Sequence, residues 1–332
     1  MLPSLAPEDD YRTVFEVLMA ASGAVMVVLV VATLAAVGAG RTRLYAAATF
    51  AGLAPLALGP VVLTRFDLWP AMLTVGVLAA LVAGRDRLGF GILGLAAAAK
   101  VYPLVLLPIA LVYVGRRRGA REAAVCVAAL IAVLALVLVP FAIVSPDGLV
   151  DSFERQTGRP LQIETLGASL LLAANQLGWY VPVVVSSFGS QNLAGGLPDA
   201  FATVETALQI AAVIGIWLLF ALTRGRQEQL LAAAAAAVTA FVCLGKVLSP
   251  QFLIWLVPLV PLVAGGYGLA ASGLLLVALV LTHLWFPSRY WDLVDLEGGP
   301  AWLLAGRNAA LLALVAVLTV AIRRVHGSRR TA

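Results

Sequence analysis

The chain contains two lysines, and each stands a few residues ahead of a proline inside an apolar stretch: Lys100-Val101-Tyr102-Pro103 and Lys246-Val247-Leu248-Ser249-Pro250. A proline cannot continue a helix, and it steers the residue before it away from helical backbone. Both motifs therefore read as breaks in hydrophobic segments, each presenting a cation. A charge at the bilayer centre costs about 2.5–3.5 kcal/mol on insertion scales, which makes such residues functional candidates by default. Non-helical backbone at that depth is tolerated where it lines a cavity. Two broken helices with a lysine apiece thus describe an anion-binding cavity, with Tyr102, Ser249 and Gln251 beside the breaks. The plain alternative is a pair of lysines snorkelling to the interface.

A second group of polar residues is Arg155-Gln156 with Arg159-Pro160-Leu161-Gln162-Ile163-Glu164. Arginines with amides and a carboxylate suit phosphate and sugar hydroxyls, through forked, charge-assisted hydrogen bonds. A solvated loop leading to a helix start at Thr165 would look the same. Arg65-Phe66-Asp67 is a third candidate, and an Arg–Asp pair capping a helix from Leu68 accounts for it equally well. Other signals carry less. Gly89-Phe90-Gly91-Ile92-Leu93-Gly94 matches a dinucleotide-binding pattern, but no strand precedes it, so it reads as a close-packing stripe in a membrane helix. His283 and His326 are isolated, and Cys126 and Cys243 lie in apolar runs with no metal or disulfide spacing. No metal and no cofactor is expected.

The elements that must position these residues are membrane helices. Hydrophobic residues make up 62% of the 332 and charged residues 12%, about half the usual share of a soluble domain. A spanning helix needs roughly 20 apolar residues, and such runs recur from Val14 to Ile322. They are continuous and not alternating, which excludes a barrel. The expected fold is all-α and polytopic, with about nine to eleven transmembrane or half-membrane helices in one integral membrane domain, 1–332. Spans are predicted at about Val14–Val37, Leu44–Leu63, Leu68–Val82, Leu88–Val114, Ala123–Ile143, Val204–Leu222, Leu230–Leu244, Phe252–Val263, Leu269–Trp285 and Trp302–Ile322. Leu88–Val114 is too long for one comfortable span and has basic clusters at both ends, so it is expected to go in and come back, turning near Lys100.

Fourteen of the 22 basic residues fall in five clusters: Arg41/Arg43, Arg85/Arg87, Arg116–Arg118 with Arg121, Arg224/Arg226 and the Arg323–Arg330 tail. That is the positive-inside pattern. It places these clusters and the C-terminus in the cytoplasm of a plasma-membrane protein, with an external segment at about 145–202. It also disfavours a nucleic-acid partner for the formal charge of +5.

Four stretches in order, Arg65-Phe66-Asp67, AAAAKVYPLVLLP (96–108), RQTGRPLQIETLGAS (155–169) and GKVLSPQFLIWLVPL (245–259), resemble glycosyltransferase family 87. Its members are membrane glycosyltransferases of the C-type fold, typified by polyprenol-phosphate-mannose-dependent mannosyltransferases. The resemblance runs from about Leu2 to Arg324. It implies a sugar donor on a polyprenyl phosphate, a lipid or glycan acceptor in the cell envelope, and transfer outside the cytoplasm. It also implies that Lys100, Lys246, Arg155 and Arg159 hold the lipid phosphate, with Arg65, Tyr102, Gln156, Gln162, Ser249 and Gln251 as further donor contacts. The family places an aspartate in a large external loop after an additional first helix, followed by a Tyr-Pro-Pro segment. This sequence opens at Met1-Leu2-Pro3, just past that point. Either it starts downstream of the natural start, or the base is Asp67 or Glu164, or the chain is not catalytic. The residues after Ser249-Pro250 are Gln251-Phe252, where the mannosyltransferase branch carries histidines. The other readings of the same features are a lipid-linked sugar transporter or flippase, and a non-catalytic membrane subunit.

Overall fold

A computed structural model describes residues 10–324 of the chain. The expectations for Met1–Pro3, for His326 and for the tail beyond Arg324 lie outside the described residues.

The chain is built from helices with one small hairpin. α1 (Tyr11–Ala36) and α2 (Arg41–Leu53) are followed by a 3-10 turn at Ala54–Leu58 and by α3 (Val61–Thr64). The predicted span Leu44–Leu63 is thus broken, because Pro55 and Gly59-Pro60 interrupt it. α4 (Leu68–Val82) and α5 (Asp86–Ala99) come next, then a 3-10 turn at Tyr102–Leu106, α6 (Leu107–Arg118) and α7 (Ala120–Val144). α8 (Pro146–Thr157), α9 (Leu166–Gln176) and the antiparallel pair β1 (Val183–Ser187) and β2 (Ser190–Ala194) fill the polar segment. α10 (Gly196–Ala221) and α11 (Gln227–Cys243) lead to two 3-10 turns, Pro250–Trp255 and Val260–Leu262. The predicted span at Phe252–Val263 is therefore not a continuous helix, since Pro250, Pro258 and Pro261 remove its backbone donors. α12 (Gly265–His283), α13 (Tyr290–Val294) and α14 (Gly298–Arg324) complete the fold.

Among the described residues five helices are long and apolar enough to cross a membrane: α1, α7, α10, α12 and α14. The shorter apolar pieces, α4, α11 and 250–262, are sheltered among them; most of α11 from Leu230 to Cys243 is buried. The protein is an all-α polytopic membrane protein, apart from the β1–β2 hairpin.

Leu88–Val114 does go in and come back. α5 ends at Ala99, Lys100 is extended (φ −161°, ψ 142°), and α6 returns the chain to its starting level. Arg118, at the end of α6, pairs with Asp86, at the start of α5 (3.2 Å), and donates to the Gly84 carbonyl (3.3 Å). The glycines of α5 serve packing: a Cβ on Gly94 would lie 2.7 Å from the Leu130 carbonyl of α7, and one on Gly89 would lie 3.2 Å from Leu81 of α4.

The basic clusters share one face of the molecule. Arg43 pairs with Glu228 at the start of α11 (2.7 Å), and Arg87 with Glu122 at the start of α7 (2.7 Å). Arg116 donates to the Thr223 carbonyl at the end of α10 (2.6 Å), and Gln227 to the Val82 carbonyl at the end of α4 (2.8 Å).

Candidate functional site

α5 and α7 start together, tied by Arg87–Glu122. At 1.5 Å per residue α5 rises about 21 Å and α7 about 37 Å. The far ends of α4 and α5 therefore stop about 16 Å short of the end of α7. Asp67 stands at one of these ends and Lys100 at the other.

Here the Lys100 ammonium meets Asp67 Oδ1 at 2.6 Å, and the Trp255 indole N–H donates to the same oxygen at 2.7 Å. The Asp67 side chain is 2% exposed and that of Lys100 24%, so the cation is the half of the pair that a ligand can reach. Three aromatic rings frame it: Lys100 Nζ lies 5.0 Å from the Phe66 ring centre, 4.9 Å from Phe252 and 4.6 Å from Trp255. Ring faces carry negative potential and hold a cation there. Tyr102 stacks on Trp255, with ring centres 4.0 Å apart and planes 3° from parallel, and its hydroxyl shares a 2.8 Å hydrogen bond with Thr74 Oγ1. Asp67 does not cap α4, contrary to one reading of Arg65-Phe66-Asp67. Its side chain is turned to Lys100 and Trp255, because a buried carboxylate is better compensated by a cation than by backbone N–H groups alone.

A second cluster lies where the 159–165 segment meets the chain after α11. The Gln162 N–H donates to the Lys246 carbonyl (3.0 Å), and the Gln162 amide donates to Ser249 Oγ (3.0 Å) and to Glu164 Oε2. Glu164 is buried, and burial raises its carboxyl to about 8 against the pull of Arg307 and of the Gln162 hydrogen bond. Its backbone carbonyl accepts from Arg307 Nη2 (2.6 Å), and the Thr165 carbonyl from the Asn308 amide (3.0 Å). The Tyr290 phenol is raised by burial and by the nearby Glu164 charge. Arg159 stands aside, donating to Ser190 Oγ at 2.9 Å. Thr165 does start α9, accepting from the Ala168 N–H (3.2 Å).

The 3-10 turn Pro250–Trp255 joins the two clusters. Ser249 precedes it in the second cluster, while Phe252 and Trp255 belong to the first. Lys100, Asp67 and Tyr102 are thus brought together, as are Gln162, Glu164, Ser249 and the backbone of Lys246. Gln251 is half-buried in the turn, and Arg65 is exposed at the end of α3. The side chains of Arg155 and Gln156 lie outside the described residues.

Trp255, Thr74, Arg307 and Asn308 are absent from the reading of the sequence. Arg307 had a signal: it is a charge inside the apolar run Trp302–Ile322, and such a residue is expected to face the protein interior. Trp255 had none, since its role depends on a turn that periodicity reads as a span.

An ion pair walled by aromatic rings, within a bundle of long apolar helices, defines a membrane protein with a polar site among its helices. Glycosyltransferase family 87, as a sequence profile, matches residues 1–250. The chain belongs to this family and is in class a membrane glycosyltransferase. A comparison with curated proteins finds no match.

Proposed function

We propose that the chain transfers a sugar, mannose by the family resemblance, from a polyprenyl-phosphate donor to a hydroxyl of a cell-envelope lipid or glycan. The reaction takes place on the side of the plasma membrane opposite the basic face, which lies with the C-terminus in the cytoplasm. The 145–202 segment covers the site on the outer side of a single integral membrane domain. The observation that carries this reading is Lys100: a cation held by a buried carboxylate, with its accessible side among aromatic rings, about 16 Å below the end of α7. A phosphate on a lipid reaches that depth from within the bilayer, and the rings of Phe66 and Phe252 offer flat apolar surface to a sugar or a prenyl chain.

In this mechanism the acceptor oxygen attacks the anomeric carbon, and the bond from that carbon to the phosphate oxygen breaks. The bonding pair leaves with polyprenyl phosphate, whose charge is stabilised by Lys100, with Lys246 and Arg155 around the donor headgroup. Arg65, Gln156, Gln251 and Ser249 supply further donor contacts. The acceptor proton goes to a carboxylate. Asp67 and Glu164 are the two candidates; both are 2% exposed, so either takes the proton only when a movement uncovers it. Glu164, raised to about 8, carries its proton at neutral pH.

The test is transfer in detergent from a synthetic polyprenyl-phosphate mannose to a membrane lipid extract. A new glycosidic product that disappears in Lys100→Ala is the expected result. Donor bound without any product would instead fit a flippase or a non-catalytic subunit, since detergent leaves no second side to transport to.

A further inference from the structure

The ends of α10 and α14 and the start of α11 enclose a cavity of about 510 Å³ on the basic face, far from the two clusters above. Its polar lining is Arg224, Arg226 and Arg323 with Thr223 and Gln229, and its apolar lining is Leu219 and Leu222. No carboxylate lines it, and none of the three arginines has an ion-pair partner among the described residues. This sets them apart from Arg43, Arg87 and Arg118 on the same face, which are spent on Glu228, Glu122 and Asp86. A fourth guanidinium, that of Arg116, caps the rim by donating to the Ala221 and Thr223 carbonyls. The cavity opens beside apolar surface: Leu222 is 81% exposed and Leu218 61%.

Three unpaired guanidiniums around a hollow concentrate positive potential, and their planar forks match phosphate oxygens. Leucines beneath them, at the level where helices leave the apolar layer, give the hollow the two-part chemistry of a phospholipid. Basic pockets between helices at this level suit anionic headgroups. We propose that this cavity binds an anionic phospholipid, with the headgroup phosphate on Arg224, Arg226 and Arg323 and an acyl chain along Leu218 and Leu222. The occupant joins α10 to α14 across the cavity and so steadies the bundle.

The experiment uses the full chain in detergent and reads bound lipid by native mass spectrometry together with the melting temperature. The probes are phosphatidylglycerol and cardiolipin, phosphatidylcholine and inorganic phosphate. The anionic lipids should remain bound and raise the melting temperature, whereas phosphatidylcholine should do neither. Replacing Arg224, Arg226 and Arg323 together by Ala should weaken retention by about tenfold or more, and replacing them by Lys should restore part of it. A control variant removes the exposed Arg41, Arg85 and Arg121 from the same face, with the same loss of charge, and should bind as the parent does. Equal loss in the control and the cavity variant would overturn the proposal, because attraction would then be to the face as a whole. Full retention in the cavity variant would also overturn it. A melting shift with inorganic phosphate as large as that with lipid would show a phosphate site and not a lipid site, and would overturn the assignment too.

Discussion

The Trp255 indole N–H donates to Asp67 Oδ1 over 2.7 Å, joining residues 188 positions apart in the chain. The same oxygen receives the Lys100 ammonium, so the carboxylate is fixed from two directions and the cation is held with it. Trp255→Phe keeps the ring against Tyr102 and Phe252 and removes the donor. A buried acceptor that loses one partner costs about 1–3 kcal/mol. The variant should melt earlier in detergent, and an unchanged melting temperature would show that the indole bond contributes nothing to the fold.

Lys100→Ala and Lys246→Ala should each reduce transfer severely. For Lys100 the loss expected from removing one stabilising donor at a leaving group is about 100-fold or more. Steady-state transfer rates at saturating donor read it, and full activity in both variants would remove the site as proposed.

Asp67→Asn and Glu164→Gln separate the two carboxylates. Loss of transfer in Asp67→Asn with retention in Glu164→Gln places the requirement on the Asp67–Lys100 pair and removes Glu164 as the base. Unchanged transfer in both would end the idea that either carboxylate takes the acceptor proton.

Stability should depend on pH through Glu164. Its carboxyl lies at about 8 in the folded chain and at the ordinary 4.5 when unfolded. Between those values the folded protein holds a proton that the unfolded chain has released. The stabilising contribution is therefore complete below the unfolded value and is lost as pH rises through the folded one. The melting temperature of the parent should fall between about pH 4.5 and pH 8 and level off above, and Glu164→Gln should flatten that decline.

The packing of α5 on α7 is equally open to test. A Cβ at Gly94 would lie 2.7 Å from the Leu130 carbonyl, so Gly94→Val must push the two helices apart. Overpacking of this kind costs about 1–3 kcal/mol, whereas Gly91→Ala, with Val133 at 3.8 Å, should be nearly neutral.

Much of this arrangement was legible in the sequence, and the missing parts share a cause. Hydropathy and composition identify the membrane class, and Pro103 locates the turn at Lys100 because proline acts locally. Asp67 and Lys100 are each visible as polar residues at apolar junctions. Their pairing is not, since it depends on α4 and α5 being of nearly equal length and antiparallel. The Pro250–Trp255 turn was hidden because an apolar run reads alike as a span or as buried irregular backbone. The β1–β2 hairpin escaped because Val183–Ser187 and Ser190–Ala194 are short and carry little alternation.

That turn also acts as a ruler. Its six residues rise about 12 Å at 2.0 Å each, from Ser249 against Gln162 to Trp255 against Asp67. Any molecule that touches both ends is measured against that length, whatever the outer segment does. One inserted residue would turn the indole by about a third of a revolution, since a 3-10 helix completes a turn every three residues. Gauge and anchor would then fail together.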